Sequence, residues 1–168
     1  MTLPESLFAT APIADGTRPD PSRRAAGPVR INVRALLVEG DRILLANVRG
    51  QSTFHLPGGR VPPGDSVQTA LRRLLDEQAG IDADQVTFVG CVETTGVEHG
   101  EPVAELDVVF AVDRSWAGEF GSRLDDLDIV SASLASLSDL QLRPDVLRQL
   151  IPDWLLHARP AWYGASGR

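Results

Sequence analysis

The stretch His55–Ile81, HLPGGRVPPGDSVQTALRRLLDEQAGI, decides how this chain folds. It begins as a glycine-rich turn and continues as a helix. Because Gly58 and Gly59 have no Cβ atom, their amides can come close to an anion. The positive end of the following helix lies beside the same turn. The stretch therefore predicts a turn and a helix that are suited to binding phosphate.

The helix is predicted to run from Ser66 to Ala79. Ser66 or Asp65 can cap its first turn, and Gly80 can end it. A period of 3.6 residues places one broad arc of side chains against the core. This arc contains Val67, Ala70, Leu71, Leu74, Leu75 and Gln78.

The polar side of this helix also has an ordinary structural interpretation. Arg73 and Glu77 are one turn apart, and so are Arg72 and Asp76, which is the spacing of surface ion pairs. On the helix alone, an amphipathic surface helix with two ion pairs is the simpler interpretation.

The order of turn and helix resembles the Nudix family. The Nudix box is Gly, five residues, Glu, seven residues, then Arg-Glu-aliphatic-any-Glu-Glu-any-Gly-aliphatic. In this chain Gly59 is followed after five residues by Asp65 and after seven more by Arg73, and RLLDEQAGI completes the box. The similarity extends over about residues 30–150, with strand-like segments on both sides of the box. It implies an α/β protein with a Nudix-fold α/β/α sandwich and a mixed β-sheet.

The resemblance also implies an activity, the hydrolysis of a nucleoside diphosphate linked to another group, with the help of Mg²⁺ or Mn²⁺. Divalent ions held by carboxylates neutralise the diphosphate and activate the attacking water. The chain departs from this pattern where the second half of the box has three Glu positions. These positions hold Leu74, Glu77 and Gln78, so that two of the three carboxylates are replaced.

Eight positions are candidates for roles in a functional site. Leucine cannot bind a metal, and the amide oxygen of glutamine is a poorer partner for a hard cation than a carboxylate is. The candidate catalytic residues are Glu77, Arg73 and Asp65, and the candidate metal ligands are Glu77, Asp65 and, from outside the box, Glu105. The candidate substrate-binding residues are Gly58, Gly59, His55 and Arg60.

Three functions are compatible with these residues. The first is a Nudix-type hydrolase of a nucleoside-diphosphate-linked or related diphosphate compound, with a partly lost metal site and Mg²⁺ or Mn²⁺ as its cofactor. The second is an inactive Nudix domain that binds a nucleotide or phosphorylated ligand as a sensor or partner module. The third is a Nudix fold that carries out a different, metal-independent reaction. The family's usual activity favours the first, and the missing carboxylates favour the others.

Composition limits the partners. The net charge of −7 argues against general nucleic-acid binding, which needs clustered positive charge, but permits a small phosphorylated molecule or nucleotide. All 16 basic residues are arginine, which excludes lysine nucleophiles. Cys91 is the only cysteine, so no internal disulfide is expected. No secretory signal or membrane span is predicted, and the cytoplasm is the default compartment.

The chain is expected to form one domain with two tails. Residues 1–28 read as an irregular leader, 29–158 as the Nudix-like domain and 159–168 as an extended C-terminal tail. Apolar residues in the leader could dock on the domain or on a second subunit, which would give a homodimer. Residues 96–102 are predicted to form a loop, and Pro152 is expected to kink or divide the last helix.

Overall fold

A computed structural model describes residues 29–113 and 120–165 of the 168-residue chain. The predicted leader, residues 1–28, lies outside these described residues. The described residues form ten strands, two α-helices and one 3-10 helix, in the order β1 (Arg30–Leu36), β2 (Val38–Glu39), β3 (Arg42–Val48), β4 (Thr53–His55), β5 (Gly58–Arg60), α1 (Val67–Ala79), β6 (Val86–Glu98), β7 (Glu101–Val112), β8 (Leu127–Ser133), the 3-10 helix (Leu134–Ser136), β9 (Gln141–Leu142), α2 (Leu147–His157) and β10 (Ala161–Ala165).

The strands form two sheets. Sheet A has the order β10-β6-β7-β1-β5 and is mixed, since β1 runs parallel to β7 and β10 parallel to β6, while the other pairs are antiparallel. Sheet B has the order β2-β3-β4-β9, with β8 paired to β3. Helix α1 contacts β1 and β5 of sheet A.

Alternation along β1 divides the core into two parts. Val33 and Ala35 pack with Leu71 and Leu75 of α1. Leu36 points to the opposite face of sheet A and belongs to a second cluster, which also contains residues of sheet B and α2. Each cluster is a set of fully buried aliphatic side chains, so both faces of sheet A are covered by other elements. The α/β/α sandwich with a mixed sheet is confirmed.

The ends of α1 are as the sequence predicted. The Ser66 side chain accepts a hydrogen bond from the Thr69 amide, and Gly80 ends the helix in the left-handed conformation with φ 67°. Two amides of the loop after β7, those of Gly121 and Arg123, donate to carbonyls in the last turn of the helix. These bonds tie the loop to the C-terminal end of α1.

One sequence prediction is wrong, and one of the two alternatives in a second is excluded. The segment 96–102 is not a loop, because β6 continues to Glu98 and β7 starts at Glu101, which leaves a two-residue turn. His99 and Gly100 both have positive φ in this turn, and such turns match the twist of a hairpin. Of the two effects expected of Pro152, a kink or a division of the last helix, the division is excluded because α2 continues through it. Pro152 lies five residues after the start of the helix and is exposed. Its missing amide therefore removes one backbone hydrogen bond on the solvent-facing side of the helix.

Candidate functional site

The turn at Gly58 is fastened to α1 by Gln78. The Gly58 amide donates to Gln78 Oε1 at 2.8 Å, and Gln78 Nε2 donates to the Gly58 carbonyl at 2.9 Å. Gln78 is only 8% exposed. A carboxamide matches this backbone pair because it offers one acceptor and two donors, whereas an ionised carboxylate has no donor. The glutamine at this box position is therefore a structural link between turn and helix.

Glycine is required at position 58 by packing. A Cβ atom there would lie 2.0 Å from the Val33 carbonyl oxygen of β1, and its φ is 136°. Any side chain would push β5 away from β1, because the obstacle is backbone. The Gly58 amide, expected to face a ligand, is directed at Gln78 in this structure.

Leu74 covers the second glycine of the turn. Its two terminal methyl groups lie 3.7 Å from where a Cβ atom on Gly59 would be, which is ordinary van der Waals contact. Leu74 also packs against the α1 side of the core. Position 74 is the first of the three Glu positions in the second half of the box. In this chain it presents a hydrocarbon surface to the turn.

The three candidate catalytic residues are brought together by the fold. Arg73 lies 3.7 Å from a carboxylate oxygen of Asp65 and 3.6 Å from one of Glu77, so that it bridges the two acids. All three side chains are at least 36% exposed. The predicted Arg73–Glu77 pair is present. The predicted Arg72–Asp76 pair is wrong, because Arg72 donates to backbone carbonyls of residues 83 and 84, and Asp76 pairs with Arg123 at 2.8 Å.

Glu105 lies in a different group of charges, on β7. Arg30 of β1 is directly beside it and lies 3.7 Å from its carboxylate, while the same guanidinium contacts Glu98 at 2.5 Å. The hydrogen bond from Arg30 lowers the pKa of Glu98, and the same bond raises the pKa of Arg30. These three side chains line a 310 Å³ cavity at the end of the β6–β7 hairpin.

These positions do not form a divalent-metal site with the described neighbours. Among residues 29–113 and 120–165, no three His, Cys, Asp or Glu side chains converge closely enough to hold a metal ion. The donor chemistry gives the reason. Leu74 has no donor atom, Gln78 uses its amide on Gly58, and the two acids share Arg73. At these positions only Asp65 and Glu77 offer the carboxylate oxygens that Mg²⁺ or Mn²⁺ prefers.

A buried polar row beside the turn was not predicted from the sequence. On β1, alternation directs Arg30, Asn32 and Arg34 to the face of sheet A opposite α1. Arg34 Nε donates to Asp107 Oδ1 of β7 at 2.9 Å, and Asp107 is 4% exposed. Asn32 is 6% exposed and lies between β5 and β7. Polar residues at every second position of an otherwise apolar strand were the signal that could have revealed this row.

The remaining candidate ligand-binding residues border that row. Arg60 lies opposite Asn32 in the β1–β5 register, so both side chains are on one face, and Arg60 is exposed. His55 ends β4 and is half-buried. Burial lowers the pKa of His55, and the charge of Arg34 lowers it further. Near neutral pH the imidazole is therefore uncharged, with one nitrogen as donor and the other as acceptor.

Comparisons with known proteins agree with this geometry. The model of the NUDIX domain matches residues 28–154. The solution structure of the Escherichia coli ORF135 protein is 25% identical, with a TM-score of 0.58, and the match covers 79% of this chain and 94% of that one. The mutator MutT protein of Bacillus halodurans is 16% identical with a TM-score of 0.65, over 82% and 91% of the two chains.

A third structure contains a ligand. The NUDIX domain of Shewanella oneidensis NrtR, complexed with ADP ribose, is 16% identical with a TM-score of 0.60, and the match covers 81% of this chain and 93% of that domain. At this identity the likeness concerns the fold. None of the helices in the described residues is long and apolar enough to cross a membrane. The family match spans well over half of the chain, and the chain therefore belongs to the Nudix family.

Proposed function

We propose that this protein binds a phosphorylated ligand of the nucleoside-diphosphate type and does not cleave it by the metal-assisted reaction of the family. The observation that carries the proposal is the double hydrogen bond between Gln78 and Gly58. These bonds make residue 78, at a carboxylate position of the box, part of the structure of the turn. Position 78 therefore contributes no negative charge that could bind a cation.

Leu74 supports the same conclusion from the other side of the turn. A carboxylate at position 74 would lie over Gly59, but two methyl groups occupy that space. Metal-assisted hydrolysis needs several carboxylates on one helix face, and only Glu77 remains in the second half of the box. The box keeps its shape and loses the negative charge that would hold ions.

The ligand is assigned to the polar side of sheet A. Arg60 is exposed beside the glycine turn and supplies a planar guanidinium that can bind phosphate oxygens in pairs. His55 is neutral near pH 7 because of its lowered pKa, and it can donate to or accept from the ligand. The ADP ribose bound by the related NrtR domain is a compound of this chemical class.

One experiment tests binding and cleavage together. The full chain is titrated with ADP-ribose, ADP and inorganic diphosphate, with and without Mg²⁺ or Mn²⁺, and both heat release and product formation are measured. We expect saturable binding of at least one ligand without turnover. Arg60→Ala should weaken that binding about tenfold, the loss of one charge-assisted contact. Arg72→Ala is the matched control. Arg72 lies on α1, on the other side of sheet A from Arg60, so this variant should bind the ligand normally.

Hydrolysis is the second candidate, because Asp65, Arg73 and Glu77 are still adjacent and exposed. If the wild-type chain cleaves a nucleoside diphosphate derivative with Mg²⁺ or Mn²⁺, and Glu77→Gln abolishes the cleavage, the binding-only proposal is wrong. If turnover appears only in the double variant Leu74→Glu/Gln78→Glu, the absence of carboxylates at these two positions is what prevents turnover in the wild type.

A further inference from the structure

Among the described strands, β10 is the last strand at one edge of sheet A. It pairs in parallel with β6 on one side, and no described strand pairs with its other side. Edge strands expose unpaired amides and carbonyls, and proteins usually protect them with charges, prolines or bulges. The residues of β10, AWYGA at 161–165, include none of these protections.

Large apolar side chains flank this edge on both faces of the sheet. Trp162 is 63% exposed on the face away from α2. On the other face, the Tyr163 hydroxyl donates to Asp153 of α2 at 3.3 Å, which places that flank of the helix beside β10. Leu156 follows Asp153 by three residues, so it lies on the same flank, and it is 76% exposed. Trp162, Tyr163 and Leu156 therefore place three large side chains along the edge, next to the carboxylate of Asp153.

We propose that β10 pairs antiparallel with β10 of a second copy of this chain, with the two-fold axis at Tyr163. This register pairs all five residues of each strand. It places Trp162 opposite Gly164 of the other copy, on the same face. A Cβ atom on Gly164 would meet nothing within 4 Å, so the space beside it is open to an indole ring.

The alternative register, centred on Trp162, is less favourable. It would bring Pro160 opposite Gly164 of the second copy, and proline has no amide to contribute to the ladder. It would also shorten the overlap of the two strands. The register centred on Tyr163 therefore pairs the full length of β10 and keeps proline out of the ladder.

The interface predicts a dimer that depends on concentration. Two paired edges with two exposed tryptophans and two exposed leucines bury on the order of 1,000 Å² in total, at the lower limit for a specific interface. Its hydrogen bonds are between backbone groups, and its largest contacts are those of Trp162 and Leu156. We therefore expect salt to change the association only weakly.

Sedimentation of the full chain from about 1 µM to about 1 mM tests this proposal. We expect the mass to rise from that of the 18.1 kDa chain to twice that value. Gly164→Leu should shift the midpoint at least tenfold to higher concentration, because it fills the space for Trp162 of the other copy while leaving the monomer free of clashes. Val97→Lys, at an equally exposed apolar residue on the β6–β7 hairpin, is the matched control and should dimerise normally.

Hydrogen exchange in the wild-type protein provides a measurement that needs no variant. The outward-facing amides of 161–165 should exchange more slowly at the high-concentration end of the series, with no change at the sheet B edge. A chain that remains monomeric throughout overturns the proposal. So does a dimer that Gly164→Leu leaves unchanged, because that dimer must use another surface.

Discussion

Gln78→Glu is the most informative single substitution, because it restores the family's carboxylate and removes the link to Gly58 at the same time. The ionised side chain can still accept from the Gly58 amide. It has no proton for the Gly58 carbonyl, which lies 2.9 Å from the present Nε2 atom. An oxygen atom there would face another oxygen in a site that is 92% buried, since Gln78 is 8% exposed.

The expected cost follows from these contacts. One buried hydrogen bond is lost, its carbonyl is left without a partner, and a charge is placed among apolar neighbours. Together these changes should lower the free energy of unfolding by about 2–4 kcal/mol at pH 7. With a slope of about 2 kcal/mol per molar urea, the unfolding midpoint should fall by about 1–2 M.

The effect should depend on pH with a defined sign. Burial and the neighbouring carbonyl raise the pKa of the introduced carboxyl in the folded state above its unfolded value of about 4.3. The folded protein then binds the extra proton more tightly, so the variant is closest to wild type below about pH 4.3 and loses stability as the pH rises through the folded-state pKa.

Urea unfolding of the wild type and the variant from about pH 4 to about pH 8, followed by circular dichroism, measures this difference. The matched control is Glu77→Gln, an exposed change on the same turn of α1, which should shift the midpoint little. If Gln78→Glu is as stable as the wild type at pH 7, the double hydrogen bond does not hold the turn, and the argument from it fails.

Three further predictions concern the polar row and the edge strand. Asp107→Asn should lower the free energy of unfolding by about 2–3 kcal/mol in urea unfolding, because it leaves the Arg34 guanidinium without a charged partner, whereas Asp128→Asn at an exposed pair should cost less than about 1 kcal/mol. Because the folded-state pKa of His55 is lowered, its contribution to stability is present above about pH 6.5 and is lost as the pH falls through the folded-state value. His55→Gln should remove that part of the pH dependence, and an unchanged pH profile would contradict it. Gly90→Ala should detach β10, since a Cβ atom would lie 2.2 Å from a backbone oxygen of the first β10 residue, and rapid exchange of the β10 amides would show this.

Local patterns in the sequence were sufficient for the turn, the helix and the family. The bounds of α1 depend on a capping serine, a 3.6-residue apolar period and a terminal glycine, which all lie within one short stretch. The spacing of Gly59, Arg73 and Gly80 indicated the fold. These residues lie within one short stretch, so their placement on a turn and a helix does not depend on contacts with distant segments. The adjacency of Arg73 and Glu77 follows from the same helical period.

Contacts between distant segments were decided only by the tertiary structure. Gln78 and Gly58 are 20 residues apart, and Arg34 and Asp107 are 73 apart, so no local period relates them. The helical period suggested that Arg72 would pair with Asp76, but backbone carbonyls and Arg123 competed successfully for these side chains once the loops had packed. The sequence by itself determined which carboxylates the box lacks. The packed structure determined that Gln78 holds the turn and Leu74 covers it, because partners and burial depend on which segments meet in space.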